Sequence, residues 1–197
     1  MRTTIDFYFD FLSPFAYLAR FRLTQIAERH DCTIAWHAID LAQAKLAAGN
    51  TGPGNRDMPV KLDYMKIDLA RWAAEYAVPF NWVGNYASRQ MNIGALYARE
   101  RGVEAQYVRD AFHAGWGCGG TLDDPALLRR LAHMQGWDGD EFLRYVDSPA
   151  AAAAFAAESK AAIARGVFGV PSMLLGEQMW WGNDRLFMLD RALAARA

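Results

Sequence analysis

Strand periodicity is confined to the two ends of this 197-residue chain, and that separation narrows the folds open to it more than any other feature. Residues 3–11 alternate Ile5, Phe7, Phe9 and Phe11 on one face with Thr4, Asp6, Tyr8 and Asp10 on the other, the two-residue period of a strand. Leu12-Ser13-Pro14 follows. Ala16, Leu18, Phe21, Leu23, Ile26 and Ala27 then recur at helical spacing, with Arg20, Arg22 and Glu28 directed to solvent. Ser13 is placed to cap this helix and Pro14 to be its first residue, where a missing N–H costs nothing. A second strand is expected over residues 32–39, rich in Thr33, Ile34, Trp36 and Ile39. Together these make a β-α-β unit, which favours a right-handed parallel crossover.

From residue 41 to about residue 165 no strand pattern recurs. Helical spacing does, in Leu62, Met65, Leu69, Trp72, Ala73 and Tyr76, in Ile93, Leu96 and Tyr97, in Tyr107, Phe112 and Trp116, and in Leu127, Leu128 and Leu131. Some four to six helices are expected there. Strand character returns at residues 172–175, turns at Gly176-Glu177, and resumes at residues 178–181 before a last helix from about residue 183 to 195. The order is β-α-β, helical insert, β-β-α. The fold class is therefore α/β, a thioredoxin-like fold with a large all-helical insertion between its β-α-β and β-β-α halves. Residues 1–40 and 166–197 are assigned to the thioredoxin-like domain and residues 41–165 to the insert.

Charge and composition exclude several functions. Lys+Arg 21 against Asp+Glu 22 gives a net charge of -1, and no basic cluster is interleaved with aromatics, so nucleic acid is not an expected partner. No apolar run approaches the roughly 18 residues of a membrane span. The opening MRTTIDFYFDF begins a strand pattern instead of an apolar leader, and the expected location is the cytoplasm. Cys32 and Cys118 stand far apart and form no Cys-x-x-Cys pair. His30, His37, His113 and His133 have no carboxylate or cysteine at metal-ligand spacing, so no metal site is expected. A Gly-x-Ser-x-Gly elbow and a Gly-rich phosphate loop are both missing from the sequence.

Three stretches meet at one edge of the proposed topology. The first is Phe11-Leu12-Ser13-Pro14-Phe15, where free N–H groups and the positive end of the helix dipole attract a thiolate or carboxylate. A thiol enzyme of this topology would carry cysteine at the position of Ser13, with its pKa lowered by that field. With serine there, the reactive sulfur has to come from a ligand. The second stretch holds Val170-Pro171, a candidate cis bond that would turn the backbone N–H and C=O of Val170 outward, ready to pair with an extended peptide. The third is Trp180-Trp181-Gly182-Asn183-Asp184-Arg185, where Asn183 or Asp184 would cap the last helix and the Asp184 carboxylate could hold an amino group. Taken singly, each is an ordinary helix start, turn or cap; their order around one topology gives them value.

The segments DFYFDFLSPFAYLA, AIDLAQAK, GNRDMPVKLDYMKIDLARWA, NYASRQMNIG, VFGVPSM and MWWGNDRLFMLD resemble the 2-hydroxychromene-2-carboxylate isomerases, relatives of the kappa-class glutathione transferases and, more distantly, of bacterial disulfide oxidoreductases. The resemblance implies glutathione as cofactor, lying along Val170 and Pro171, with its γ-glutamyl end at Trp181, Gly182, Asn183 and Asp184 and its sulfur at the Ser13 hydroxyl. It implies a small aromatic carboxylate substrate held by Lys45, Asn55, Arg56 and Tyr86 and a setting in naphthalene-type aromatic catabolism; likeness to the transferases makes Asn50 and Lys61 weaker candidates for contact with glutathione. Lys45 and Arg56 suit a carboxylate, Asn55 a hydrogen bond, and Tyr86 an aryl ring. Without the resemblance, Lys45 would read as a solvated helix charge, Arg56 as a loop cation and Tyr86 as a core aromatic with a solvated tip. A transferase that consumes glutathione and a non-catalytic glutathione-binding module are the competing readings. The aromatic-rich insert is compatible with a homodimer.

Overall fold

The computed structural model describes residues 2–196, which form four strands and nine α-helices. Strand β1 (Thr4–Phe9), helix α1 (Pro14–Arg29) and strand β2 (Thr33–Ala38) make the opening unit, with β1 and β2 parallel and Phe7 opposite Trp36. Strands β3 (Ser172–Leu175) and β4 (Gln178–Trp181) form the closing hairpin. The sheet order is β2-β1-β3-β4, with β3 antiparallel to both neighbours. The first strand is thus central, flanked by β2 from its own unit and β3 from near the end of the chain.

The insert holds seven helices among the described residues, more than the expected four to six: α2 (Leu41–Ala47), α3 (Pro59–Glu75), α4 (Arg89–Glu100), α5 (Glu104–Phe112), α6 (Pro125–Met134), α7 (Gly139–Val146) and α8 (Pro149–Ala164). The extra elements come from caps that break apparent single helices. Asp124, Asp138 and Ser148 each accept a hydrogen bond from the first turn of the helix they precede, and Pro125 and Pro149 open theirs.

Alternation in β1 sorts two cores. Ile5, Phe7 and Phe9 face an apolar cluster that runs through both α1 and the insert, where Phe9 and Phe11 pack on Phe112 with ring centres 5.5 and 4.6 Å apart. Tyr8 faces a smaller cluster with Ile39, Ala44, Ala162, Val167 and Leu174, so α2 and α8 cover the second face of the sheet. Arg20, expected in solvent, is only 7% exposed. Its guanidinium lies 4.0 Å from the Phe21 ring centre, and burial lowers its pKa to about 10. A helical period read in isolation cannot anticipate that the insert packs on this side of α1. Among the described residues, no helix is long and apolar enough to cross a membrane, and no group of three or more His, Cys, Asp or Glu could hold a metal ion.

Candidate active site

Ser13 stands where β1 gives way to α1 and is buried. Its backbone is extended, and its Oγ accepts from Ala16 N–H at 3.2 Å, the capping geometry expected from Ser-Pro. Because the oxygen acts as acceptor in that bond, its own proton is free to be donated elsewhere. Pro14 has no N–H, and among the described residues Phe15 N–H has no backbone partner, so the positive end of α1 keeps an unused donor beside Ser13.

Across from Ser13 runs the turn into β3. The Val170-Pro171 bond is cis, and among the described residues neither the N–H nor the C=O of Val170 has a hydrogen-bond partner. An extended peptide could pair there as an added strand does. Phe168 and Trp181 flank this segment with ring centres 4.8 Å apart. Gly169 makes that arrangement possible, since a Cβ there would sit 2.8 Å from Trp181 Nε1.

Gly182 has φ +109, a conformation that essentially only glycine adopts, and a Cβ would stand 2.5 Å from Asp184 Oδ1. The expected capping role of Asn183 or Asp184 is not realised. A 3₁₀ turn over Asn183–Arg185 precedes helix α9 (Leu186–Ala194), and neither start receives a side-chain cap. The Asn183 side chain turns inward instead and accepts from Tyr76 OH at 3.1 Å. Its buried Nδ2 is left without a hydrogen-bond partner. Asp184 pairs with Arg185.

One cleft of about 930 Å³ joins these elements to the insert. Ser13, Val170, Pro171, Trp181, Gly182, Asn183 and Asp184 form one side, and Lys45, Asn50, Asn55 and Arg56 line the other. Lys45 lies in the last turn of α2 and makes no ion pair among the described residues. Arg56 has a buried, unpartnered Nη1. Its Cζ lies 3.6 Å from the centre of the Tyr86 ring. Tyr86 is therefore a stacking support for Arg56 and does not itself line the cleft. Lys61 also lies outside the lining; its Nζ donates to Asn55 Oδ1 at 3.4 Å.

Sequence reasoning passed over Phe15, Trp72 and Phe168, which supply apolar wall to the cleft. Trp72 was visible as an apolar-face residue of α3, but nothing in its spacing separates a cleft wall from core. Cys118, away from this cleft, lies 3.6 Å from His113 Nε2 across a π-helical turn.

A thioredoxin-type sheet whose first helix opens on serine, in a chain whose two cysteines are both free, defines a thioredoxin-fold protein without a dithiol at that helix. The family model described as DSBA-like thioredoxin domain matches residues 4–194. The 2-hydroxychromene-2-carboxylate isomerases of Pseudomonas putida and Sphingobium xenophagum are 50% and 44% identical to the chain, over 96% and 98% of it and 93% and 99% of their own lengths. The solved structure of a selenomethionine 2-hydroxychromene-2-carboxylate isomerase matches with a TM-score of 0.94 at 49% identity, covering 98% of this chain and 95% of that one. The chain belongs to the 2-hydroxychromene-2-carboxylate isomerase family, within the DSBA-like thioredoxin domain.

Proposed function

We propose that this protein is a glutathione-dependent isomerase that interconverts 2-hydroxychromene-2-carboxylate and trans-o-hydroxybenzylidenepyruvate, as the names of its relatives suggest for the substrate. The observation that carries the reading is the division of the cleft. A free hydroxyl proton at a helix start and an unpaired peptide edge at Val170 occupy one side, and two cations, Lys45 and Arg56, occupy the other. The unpartnered Asn183 Nδ2 and the free Phe15 N–H suit the carboxylate and the sulfur of a small acidic peptide thiol.

Ser13, Val170, Pro171, Trp181, Gly182, Asn183 and Asp184 would hold glutathione, which would supply a thiolate for reversible conjugate addition to the ring-opened substrate, allowing rotation about the former double bond. Ser13 Oγ–H and the positive end of α1 favour the anionic sulfur, whose free pKa of about 8.5 would otherwise leave a few per cent ionised at neutral pH. Lys45 and Arg56 neutralise the substrate carboxylate and the charge that develops beside it. Asn55 orients the carboxylate, and Tyr86 supports the Arg56 guanidinium, whose Cζ lies 3.6 Å from its ring centre. The reaction is redox-neutral, and the thiol is regenerated each turnover.

The test follows the absorbance of 2-hydroxychromene-2-carboxylate with purified protein and a sub-stoichiometric amount of glutathione. Full conversion that requires glutathione and leaves it unconsumed is the expected result. Loss of glutathione one for one would assign a transferase, and no conversion despite glutathione binding would assign a binding module.

A further inference from the structure

Asp10 is 2% exposed and lies one residue past β1, at the root of the segment that ends in Ser13. Its Oδ1 accepts from Leu12 N–H at 3.1 Å, Ser88 Oγ at 2.5 Å and Asn92 Nδ2 at 2.8 Å. Its Oδ2 accepts from Leu41 N–H at 3.1 Å, and its carbonyl from Ser13 N–H at 2.9 Å. The neighbouring peptide is fastened as well: Phe11 N–H donates to Asn92 Oδ1 at 3.1 Å, and Phe11 C=O accepts from Trp116 Nε1 at 2.7 Å.

Four donors converge on the two oxygens, which is the capacity of an ionised carboxylate. No cation pairs with it among the described residues, and burial pushes its pKa up against the pull of those donors. Burying a carboxyl group this way is costly unless its partners satisfy it, and those partners belong to three separate segments. Leu12 belongs to the Ser13 segment. Leu41 is the first residue of α2, which carries Lys45 one turn later. Ser88 immediately precedes α4 and follows two residues after Tyr86, the support of Arg56.

We propose that Asp10 is the positioning residue of this site: its carboxylate fixes the Ser13 segment, the start of the Lys45 helix and the Tyr86 segment in one register. The proposal rests on the functional reading above, in which Ser13 serves the sulfur and Lys45 with Arg56 serve the substrate carboxylate. Asp10 touches neither ligand. It sets the separation between the two halves, and a displacement of about 1 Å between reacting groups can cost on the order of a hundredfold in rate.

Two variants test this. Asp10→Asn keeps one acceptor oxygen and turns an N–H₂ group toward one of the donors, which frees at least one of the three segments. Ser88→Ala removes a single donor and leaves the carboxylate in place, so it remains informative if Asp10→Asn folds poorly. In the ligand-free proteins, amide hydrogen exchange should accelerate at Leu41 and residues 11–13 in Asp10→Asn, and to a smaller extent in Ser88→Ala. In the isomerase assay, kcat should fall at least tenfold in Asp10→Asn and about threefold in Ser88→Ala, with KM for glutathione changed less than twofold. Wild-type exchange and wild-type kcat in folded variants would overturn the proposal. A parallel loss of glutathione affinity, or a loss of rate accounted for by the unfolded fraction, would also overturn it, because either marks a purely structural residue. If the wild-type protein shows no glutathione-dependent turnover, the functional reading fails, and exchange alone then decides whether Asp10 holds the three segments together.

Discussion

Ser13→Ala separates two roles carried by one hydroxyl. The capping bond to Ala16 N–H, 3.2 Å long, is lost, at a cost of about 1 kcal/mol in folding stability. For a chain of this size that lowers the Tm by roughly 2–4 °C, so the variant should remain folded at assay temperature. The second loss is the hydrogen bond that Ser13 Oγ–H would donate to a bound thiolate, and bonds to charged groups contribute about 1.5–3 kcal/mol. At 1.36 kcal/mol per pKa unit, the bound thiol should titrate about one to two units higher. If the helix field and Ser13 together bring that thiol to roughly 7, the variant titrates near 8–9, and its rate at neutral pH falls about five- to fiftyfold. Activity should be regained as the pH is raised, because the thiolate is then formed without the serine. The assay is the pH dependence of kcat, paired with a titration of the ultraviolet thiolate absorbance of the protein–glutathione complex. A pH–rate profile that superposes on the wild type, in a protein that still binds glutathione, refutes the role given to Ser13.

Gly182→Ala forces a side chain into φ +109 with Asp184 Oδ1 in its way, so glutathione affinity measured by calorimetry should fall at least tenfold while the affinity for an unreactive aromatic carboxylate stays within twofold. Arg56→Lys keeps the charge but loses the planar face stacked on Tyr86; KM for the organic substrate should rise about tenfold with glutathione affinity unchanged, and equal effects on both would contradict the assignment of Arg56. Asp190 binds His30 Nε2 at 2.7 Å and Arg29 Nη1 at 2.6 Å; burial raises its pKa, but these two partners outweigh burial and hold it below the usual range. Its contribution to stability is therefore present above about pH 4 and lost as the pH falls through the lowered value, so the Tm of Asp190→Asn should decline less steeply below pH 4 than that of the wild type, and parallel declines would refute the link.

The parts of the site that were legible in the sequence are those whose chemistry is local. Ser13-Pro14 announces a helix start by cap and imino acid alone, and the β1 alternation fixes which residues face the main core. The cleft could be placed because strand order followed from the two ends of the chain. Asp10 was invisible as a hub, since a period of two assigns it only to a face, and its partners Ser88 and Asn92 lie more than seventy residues away. Arg20 failed for the same reason, its cover coming from the insert. The helix count was recoverable from Asp124-Pro125 and Ser148-Pro149, cap signals that periodicity had blurred.

The central position of β1 also dictates when the protein becomes complete. Ser13, Lys45 and Arg56 leave the ribosome well over a hundred residues before Val170 and Asn183. At roughly 5–20 residues per second, the nascent chain spends on the order of ten seconds with Ser13, Lys45 and Arg56 synthesised and the Val170 and Asn183 wall of the cleft still to come. Through that interval β1 has a partner on one side only, and its other edge is open to whatever strand it meets. The last hairpin thus completes both the sheet and the cleft wall, so a chain cut short before it would leave one edge of β1 unpaired and the cleft without Val170, Pro171 and Asn183.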